Sequence, residues 1–203
     1  MSKIAILPDA RRGGGIAFSG AGDGPLMEVR RLVGSDAAEF LRLRRQALEQ
    51  EPFSFAESPE ELLQVSAETY AQRLREDNES FVFGAFHESK LEGMAGLFRE
   101  GRLKRRHKGT VWGVYVAPEY RGRGIARAIL TKVLETARTI PDLKWIALSV
   151  TTEEEPARRL YASLGFRPWG VEPAALRIGN TLIDEEHMVL ELDAANSVSE
   201  SKR

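Results

Sequence analysis

The stretch GTVWGVYVAP, residues 109–118, is apolar on both of the faces that a strand presents. A strand with no polar face belongs at the centre of a sheet, with structure packed above and below it. The next segment narrows the fold further. After the turn EYRGRG, apolar residues recur at Ile125, Ile129, Leu130, Val133, Leu134, Ala137 and Ile140, which draws one apolar face on a helix. Pro141 stops that helix, and KWIALSVT, residues 144–151, reads as another buried strand. A strand, a long amphipathic helix and a second buried strand in succession make this an α/β chain.

The flanking segments extend the pattern. MEVRRLV (27–33) reads as a strand, and SDAAEFLRLRRQALEQ (35–50) as a helix capped by Ser35 or Asp36. EPFSFAESPEE is a loop, and SAETYAQRLRE (66–76) is a helix opened by Ser66. SFVFGAFHE and LEGMAGLFRE form a hairpin joined at Ser89–Lys90. TTEEEPARRLYASLGF is a short helix, and EEHMVLELD a last strand. Three parts are expected: a flexible Gly-rich extension at 1–26, a folded domain at 27–192 and a polar tail at 193–203. The glycines near the start lack the following helix and the Lys-Ser/Thr pair of a phosphate-binding P-loop.

The bulk properties exclude some functions. With 203 residues and a net charge of −1, nothing draws the whole chain to nucleic acid or to a membrane surface. No apolar run approaches the roughly 20 residues that span a bilayer. The chain has no cysteine, which removes disulfides, thiolate metal sites and a cysteine nucleophile and fits a reducing compartment. The expected location is the cytoplasm. His87, His107 and His187 have no metal-ligand spacing, so no metal is expected, and no G-x-S-x-G motif marks a serine hydrolase.

The two later helices start differently. Before Glu155, Thr152 stands at capping-box spacing and Pro156 suits a first turn. Gly165 suits the left-handed position past that helix's end. The helix after Gly124 has no Ser, Thr, Asp or Asn to cap it, and its first turn carries Arg123 and Arg127. Up to four N–H groups at a helix start lack intrahelical partners, and a missing cap costs about 1 kcal/mol. Cations at that end add a few tenths of a kcal/mol. Gly122 and Gly124 allow a tight turn whose successive amides form an anion-binding concavity. Arg121, Arg123 and Arg127 add full charge, so a phosphate or pyrophosphate is the expected guest. A solvated glycine turn is the plainer alternative.

VYVAPEYRGRGIARAIL resembles motif A of the GNAT acetyltransferase superfamily, with Arg121, Gly124 and Ala126 in place. PARRLYASLGF resembles that family's next motif, with Tyr161 and Gly165–Phe166 in place. The element order from 27 to 192 is also similar. The resemblance implies a mixed, mostly antiparallel sheet of about six or seven strands, splayed between its fourth and fifth strands and flanked by about four helices. It implies acetyl-CoA as donor, with the pantetheine arm on Val114, Tyr115 and Val116. The pyrophosphate would then sit on the turn formed by Arg121, Gly122, Arg123, Gly124, Ile125, Ala126 and Arg127. It also implies an oxyanion-binding amide near Val116 and an acceptor wall in the loop that holds Phe53 and Phe55, which could equally be core plugs. Many relatives read Asn-x-Pro-Ala where this chain has Glu154-Glu155-Pro156-Ala157, so the role of that Asn is not carried over.

The implied reaction moves acetyl from acetyl-CoA to a primary amine of a small molecule or peptide, by direct attack in a ternary complex. The implied assembly is a monomer or homodimer. Tyr161 is the expected general acid toward the CoA sulfur, against the alternative of a core tyrosine. For the base, Glu100 is one candidate because it ends a strand near the expected cleft. Glu153 and Glu154 at the mouth of the splay, and His107 in the basic run RLKRRHKG, are further candidates. Trp112 and Trp169 are expected to be structural. The competing functional class is a non-catalytic acyl-CoA sensor. Nucleic-acid binding through Arg102–Lys108 is a third reading, opposed by the balanced charge.

Overall fold

The structure is a computed structural model that describes residues 4–6, 16–18, 26–75 and 77–192. The chain runs β1 (Ile4–Ile6), β2 (Ile16–Phe18), β3 (Met27–Arg31), α1 (Ala37–Gln50), α2 (Pro59–Leu62), α3 (Ala67–Arg73), β4 (Ser80–His87) and β5 (Lys90–Arg99). It continues with β6 (Lys108–Val116), α4 (Ile125–Ala137), β7 (Trp145–Thr151), α5 (Glu155–Ser163), β8 (Arg167–Ile178) and β9 (Thr181–Glu191). The strands form one sheet in the order β1-β2-β3-β4-β5-β6-β7-β9-β8. Every neighbouring pair is antiparallel except β6 and β7, which run parallel.

Seven strands lie from Met27 onward, within the expected six or seven. The nine-stranded total comes from β1 and β2, which add to the β3 edge. These two lie inside 1–26, the segment expected to be a flexible extension. Residues 193–203 lie outside the described residues. The long strand β8 has no counterpart among the strands read from the sequence. Its residues are mostly exposed, so it lacks the apolar alternation that marks a half-buried strand.

The sheet separates two apolar layers. On one face α4 buries Ile125, Ile129, Leu130, Val133, Leu134 and Ala137 against β-strand residues such as Val111 and Ile146. On the other, α1 buries Phe40, Leu43, Ala47 and Leu48, with Tyr70, Tyr115 and Ala117. Each large aliphatic side chain so buried contributes about 1.5–3 kcal/mol relative to exposure.

Three local details differ from expectation, two of them because another partner won. Asp36 does not cap α1 with its side chain; its carboxylate is held by Arg30 at 2.7 and 2.8 Å and accepts from the Val33 N–H. Thr152 does not cap α5, because its N–H is drawn to the Asp184 carbonyl on β9. Glu155 turns instead to Arg158 and Arg159. The β4–β5 turn is Glu88–Ser89, both at positive φ (51° and 84°), and His87 pairs with Lys90. Two positive-φ central residues are what a two-residue hairpin twist requires.

Candidate functional site

The parallel pair β6–β7 is joined only at Lys108–Thr110 against Trp145–Ala147. Both strands run on, to Val116 and Thr151, without pairing again. A cleft of about 530 Å³ opens between these diverging ends. Beside it, β6 bulges. Met94 pairs with Tyr115 and Gly96 with Trp112, so Gly113 and Val114 stand opposite one residue of β5. Gly113 takes φ 64°, a left-handed value that a side chain rarely adopts.

The bulge and the strand pleat decide which backbone groups face the cleft. The Ala117 N–H donates to the Glu92 carbonyl on β5. Backbone groups alternate between the two edges of a strand, so those of Val116 and Val114 point away from β5 and into the gap. Arg121 agrees, because its Nε reaches the Val116 carbonyl at 2.9 Å from that side. The Val116 N–H is therefore an open donor in the cleft. Tyr115 presents its backbone to β5 and its side chain to α1, where its hydroxyl donates to Gln50 at 2.8 Å.

At the mouth of the cleft Gly122 and Gly124 both take left-handed conformations, with φ 73° and 80°. Gly124 is the N-cap of α4 and offers no side-chain cap. Among the described residues no backbone or side-chain acceptor pairs with the N–H groups from Gly122 to Arg127. A Cβ on Gly122 would meet nothing within 4 Å, so the hollow in front of these amides is open. No acidic residue stands in the first turn. The three arginines do not surround it equally. Arg121 is tied down: its Nη2 pairs with Glu51 at 2.8 Å and its guanidinium lies over the Tyr115 ring. It braces the turn. Arg123 stacks toward Tyr120, and Arg127 donates to Ser163. Both remain exposed beside the amides.

Tyr161 lies on α5 and lines the cleft. Its ring packs edge-on to Phe166, and Gly165 at φ 96° closes the helix as expected. Burial, and then the charge of Glu154, push the Tyr161 phenol well above its ordinary value. Tyr70 and Tyr115 are also raised, chiefly by burial. These shifts fix the sign of the linked stability. Below about pH 10 the phenols are protonated in both states. Above it the unfolded chain loses protons that the folded chain keeps, so stability falls as pH rises. Thermal midpoints measured from pH 8 to 11 should be flat at first and then drop beyond about pH 10; a flat profile throughout would contradict this.

Glu100, a candidate base in the sequence, is not brought to the cleft. It follows the far end of β5, where its carboxylate pairs with Arg105 at 3.2 Å and its N–H with the Lys108 carbonyl. The register places that end opposite the start of β6, whereas the cleft lies at the end of β6. Phe55 lines the cleft, but Phe53 is 42% exposed and does not. Trp112 is a cleft wall as well as a structural residue, with its ring resting where a Cβ on Gly96 would stand. Trp169 is 67% exposed beside His187, which is not a core position. Two further residues emerge only from the structure: Arg44, buried in the apolar face of α1, and Thr151, whose buried hydroxyl has no partner and lines the cleft. An arginine among Phe40, Leu43 and Ala47, and a glycine inside strand β6, were the available signals.

The model of the acetyltransferase (GNAT) family matches residues 41–166. The chain belongs to the GNAT family. A mycothiol acetyltransferase from Thermobifida fusca is 30% identical over 141 residues, 68% of this chain and 42% of that protein. A spermidine N(1)-acetyltransferase from Vibrio cholerae is 29% identical over 111 residues, 54% of this chain and 62% of that one. The chain thus spans less than two thirds of the length of either relative. The protein yncA from Salmonella typhimurium, solved with its cofactor acetyl-CoA, superposes with a TM-score of 0.72 at 19% identity, covering 82% of this chain and 94% of that one. The mixed, splayed sheet is the GNAT fold that the sequence motifs implied. No helix among the described residues is long and apolar enough to cross a membrane.

Proposed function

We propose that this GNAT protein is an acetyl-CoA-dependent N-acetyltransferase that acts on a primary amine by direct attack in a ternary complex. The observation that carries the reading is the open run of amides from Gly122 to Arg127 at the mouth of the splayed cleft. These donors suit a pyrophosphate, and Arg123 and Arg127 add charge at its rim. The open edges of Val114 and Val116 suit a pantetheine arm, whose amides would complete the pairing that β7 withholds.

Bound acetyl-CoA would supply an activated thioester, and the residues around it would do the rest. The Val116 N–H donates to the carbonyl oxygen as negative charge gathers there. The amine nitrogen bonds to the carbonyl carbon, the C–S bond breaks, and the sulfur leaves as a thiolate. The Tyr161 hydroxyl donates a hydrogen bond to that sulfur. Its raised pKa favours holding the proton and stabilising the thiolate over giving the proton away, and the thiolate then gains its proton from water. The amine must shed a proton as well. Of the cleft carboxylates, Glu51 is engaged by Arg121, which leaves Glu154 to take that proton directly or through water. Residues 27–192 are the catalytic domain in this reading, working in the cytoplasm.

Mixing the protein with acetyl-CoA and a panel of amines should release free thiol. Glu154→Gln should lower kcat by about a hundredfold or more. Tight CoA binding with no thiol from any amine would favour the sensor reading instead.

A further inference from the structure

Arg44 sits where a charge is hardest to justify. Its side chain is 7% exposed, in the apolar face that α1 turns to the sheet. Its guanidinium is fixed on two sides: Nε donates to Glu57 Oε2 at 2.9 Å, and the ring of Phe55 lies 4.5 Å from its centre. Yet Nη1 is buried with no hydrogen-bond partner, one of only two such side-chain atoms among the described residues. A buried donor left unpaired is destabilising, and more so when it belongs to a charged group. Nη1 faces the β6 bulge, 3.8 Å from where a Cβ on Gly113 would stand, and that Cβ would meet nothing else within 4 Å. Gly113 thus sets no side chain between this unsatisfied cation and the strand that carries the open cleft groups. A second cavity of about 340 Å³, reaching from Trp112 to Tyr70, is lined by Arg44, Arg73 and Glu57, two cations to one carboxylate.

We infer that the acceptor is a small primary amine that also carries a carboxylate, and that Arg44 Nη1 binds the carboxylate. This rests on the acetyltransferase reading above and names its substrate class. Gly113 and Val116 are three residues apart, so the carboxylate and the reacting amine stand within about 10 Å, a reach that suits an amine carried several bonds from its carboxylate, as in lysine, better than an α-amine. Trp112 lines both the cleft and this second cavity and is the aromatic wall that they share. The surplus of positive charge works against a polyamine, whose second cation would face Arg44 and Arg73. Because Nη1 is shielded from solvent, the Phe55 ring that covers the guanidinium must shift to admit the ligand.

The test measures thiol release with acetyl-CoA and each L-amino acid, its carboxamide, and spermidine. The carboxamide keeps the amine and removes the charge. The acids should exceed their carboxamides in kcat/KM by about tenfold to a hundredfold. In Arg44→Gln that ratio should fall to about one. Equal use of acid and carboxamide, a preference for spermidine, or a preference for the acid that survives in Arg44→Gln would each overturn the assignment. Should Arg44→Gln fail to fold, the acid-to-carboxamide ratio of the unmodified protein decides alone. Turnover confined to amines without a carboxylate would sink this inference and leave the catalytic reading standing. No turnover with any amine, while CoA binds, would sink both.

Discussion

Gly122→Asp is expected to weaken acetyl-CoA binding by at least about a hundredfold while the protein stays folded. The position allows a clean test. Gly122 has φ 73°, a left-handed conformation that Asp and Asn tolerate better than other side chains. A Cβ there meets no atom within 4 Å, so nothing has to move. The new carboxylate would stand in front of the unpaired amides of the turn and take the place of the ligand's anion. Placing like charges together costs several kcal/mol, which is more than two orders of magnitude in affinity. Gly122→Asn is the control. It has the same shape and no charge, so it should lose less than about tenfold. Calorimetric titration of both variants decides: equal losses would mean that bulk rather than charge governs the turn.

Tyr161→Phe should lower kcat by about a hundredfold and leave the acetyl-CoA Kd unchanged. That is the scale of removing one donor from a developing anion. The fold should hold, because the ring keeps its edge-on contact with Phe166. The residue lies in the core cluster at 6% exposure, so the alternative of a purely structural tyrosine is real. Kinetics separate the two readings. A core tyrosine would show an unchanged kcat, and a cofactor contact would show a weakened Kd. A loss in kcat alone marks a group that acts as the C–S bond breaks.

The central strand, the long helix α4 and the glycine turn between them were legible because each follows a local rule: two apolar faces, a helical period, an uncapped start. What depended on distant partners was not. Asp36 had the look of a cap, and Arg30, six residues earlier, claimed it. Thr152 had the spacing of a capping box, and β9 claimed its backbone first. Glu100 ends a strand, as expected, but strand register and not strand order decides which end meets the cleft. The three arginines at the turn looked equivalent in sequence and are held differently in the structure. Arg123 and Arg127 stay exposed at the turn, whereas Arg121 is spent on Glu51 and the Val116 carbonyl. Arg44 was hidden for a different reason. A charged residue in a helix stripe is usually solvated, and only the packed structure shows that this one is enclosed with a donor to spare.

The proposed chemistry depends on backbone amides that grip a diphosphate. Calorimetric titration of the full chain with coenzyme A and, separately, with pantetheine tests that grip, with adenosine 3′-phosphate as the control for the nucleoside and 3′-phosphate that pantetheine also lacks. Coenzyme A should bind at least about a hundredfold more tightly than pantetheine, given several charge-assisted bonds of about 1.5–3 kcal/mol each. No heat with coenzyme A, or equal affinity for the two ligands, would contradict that role for the turn.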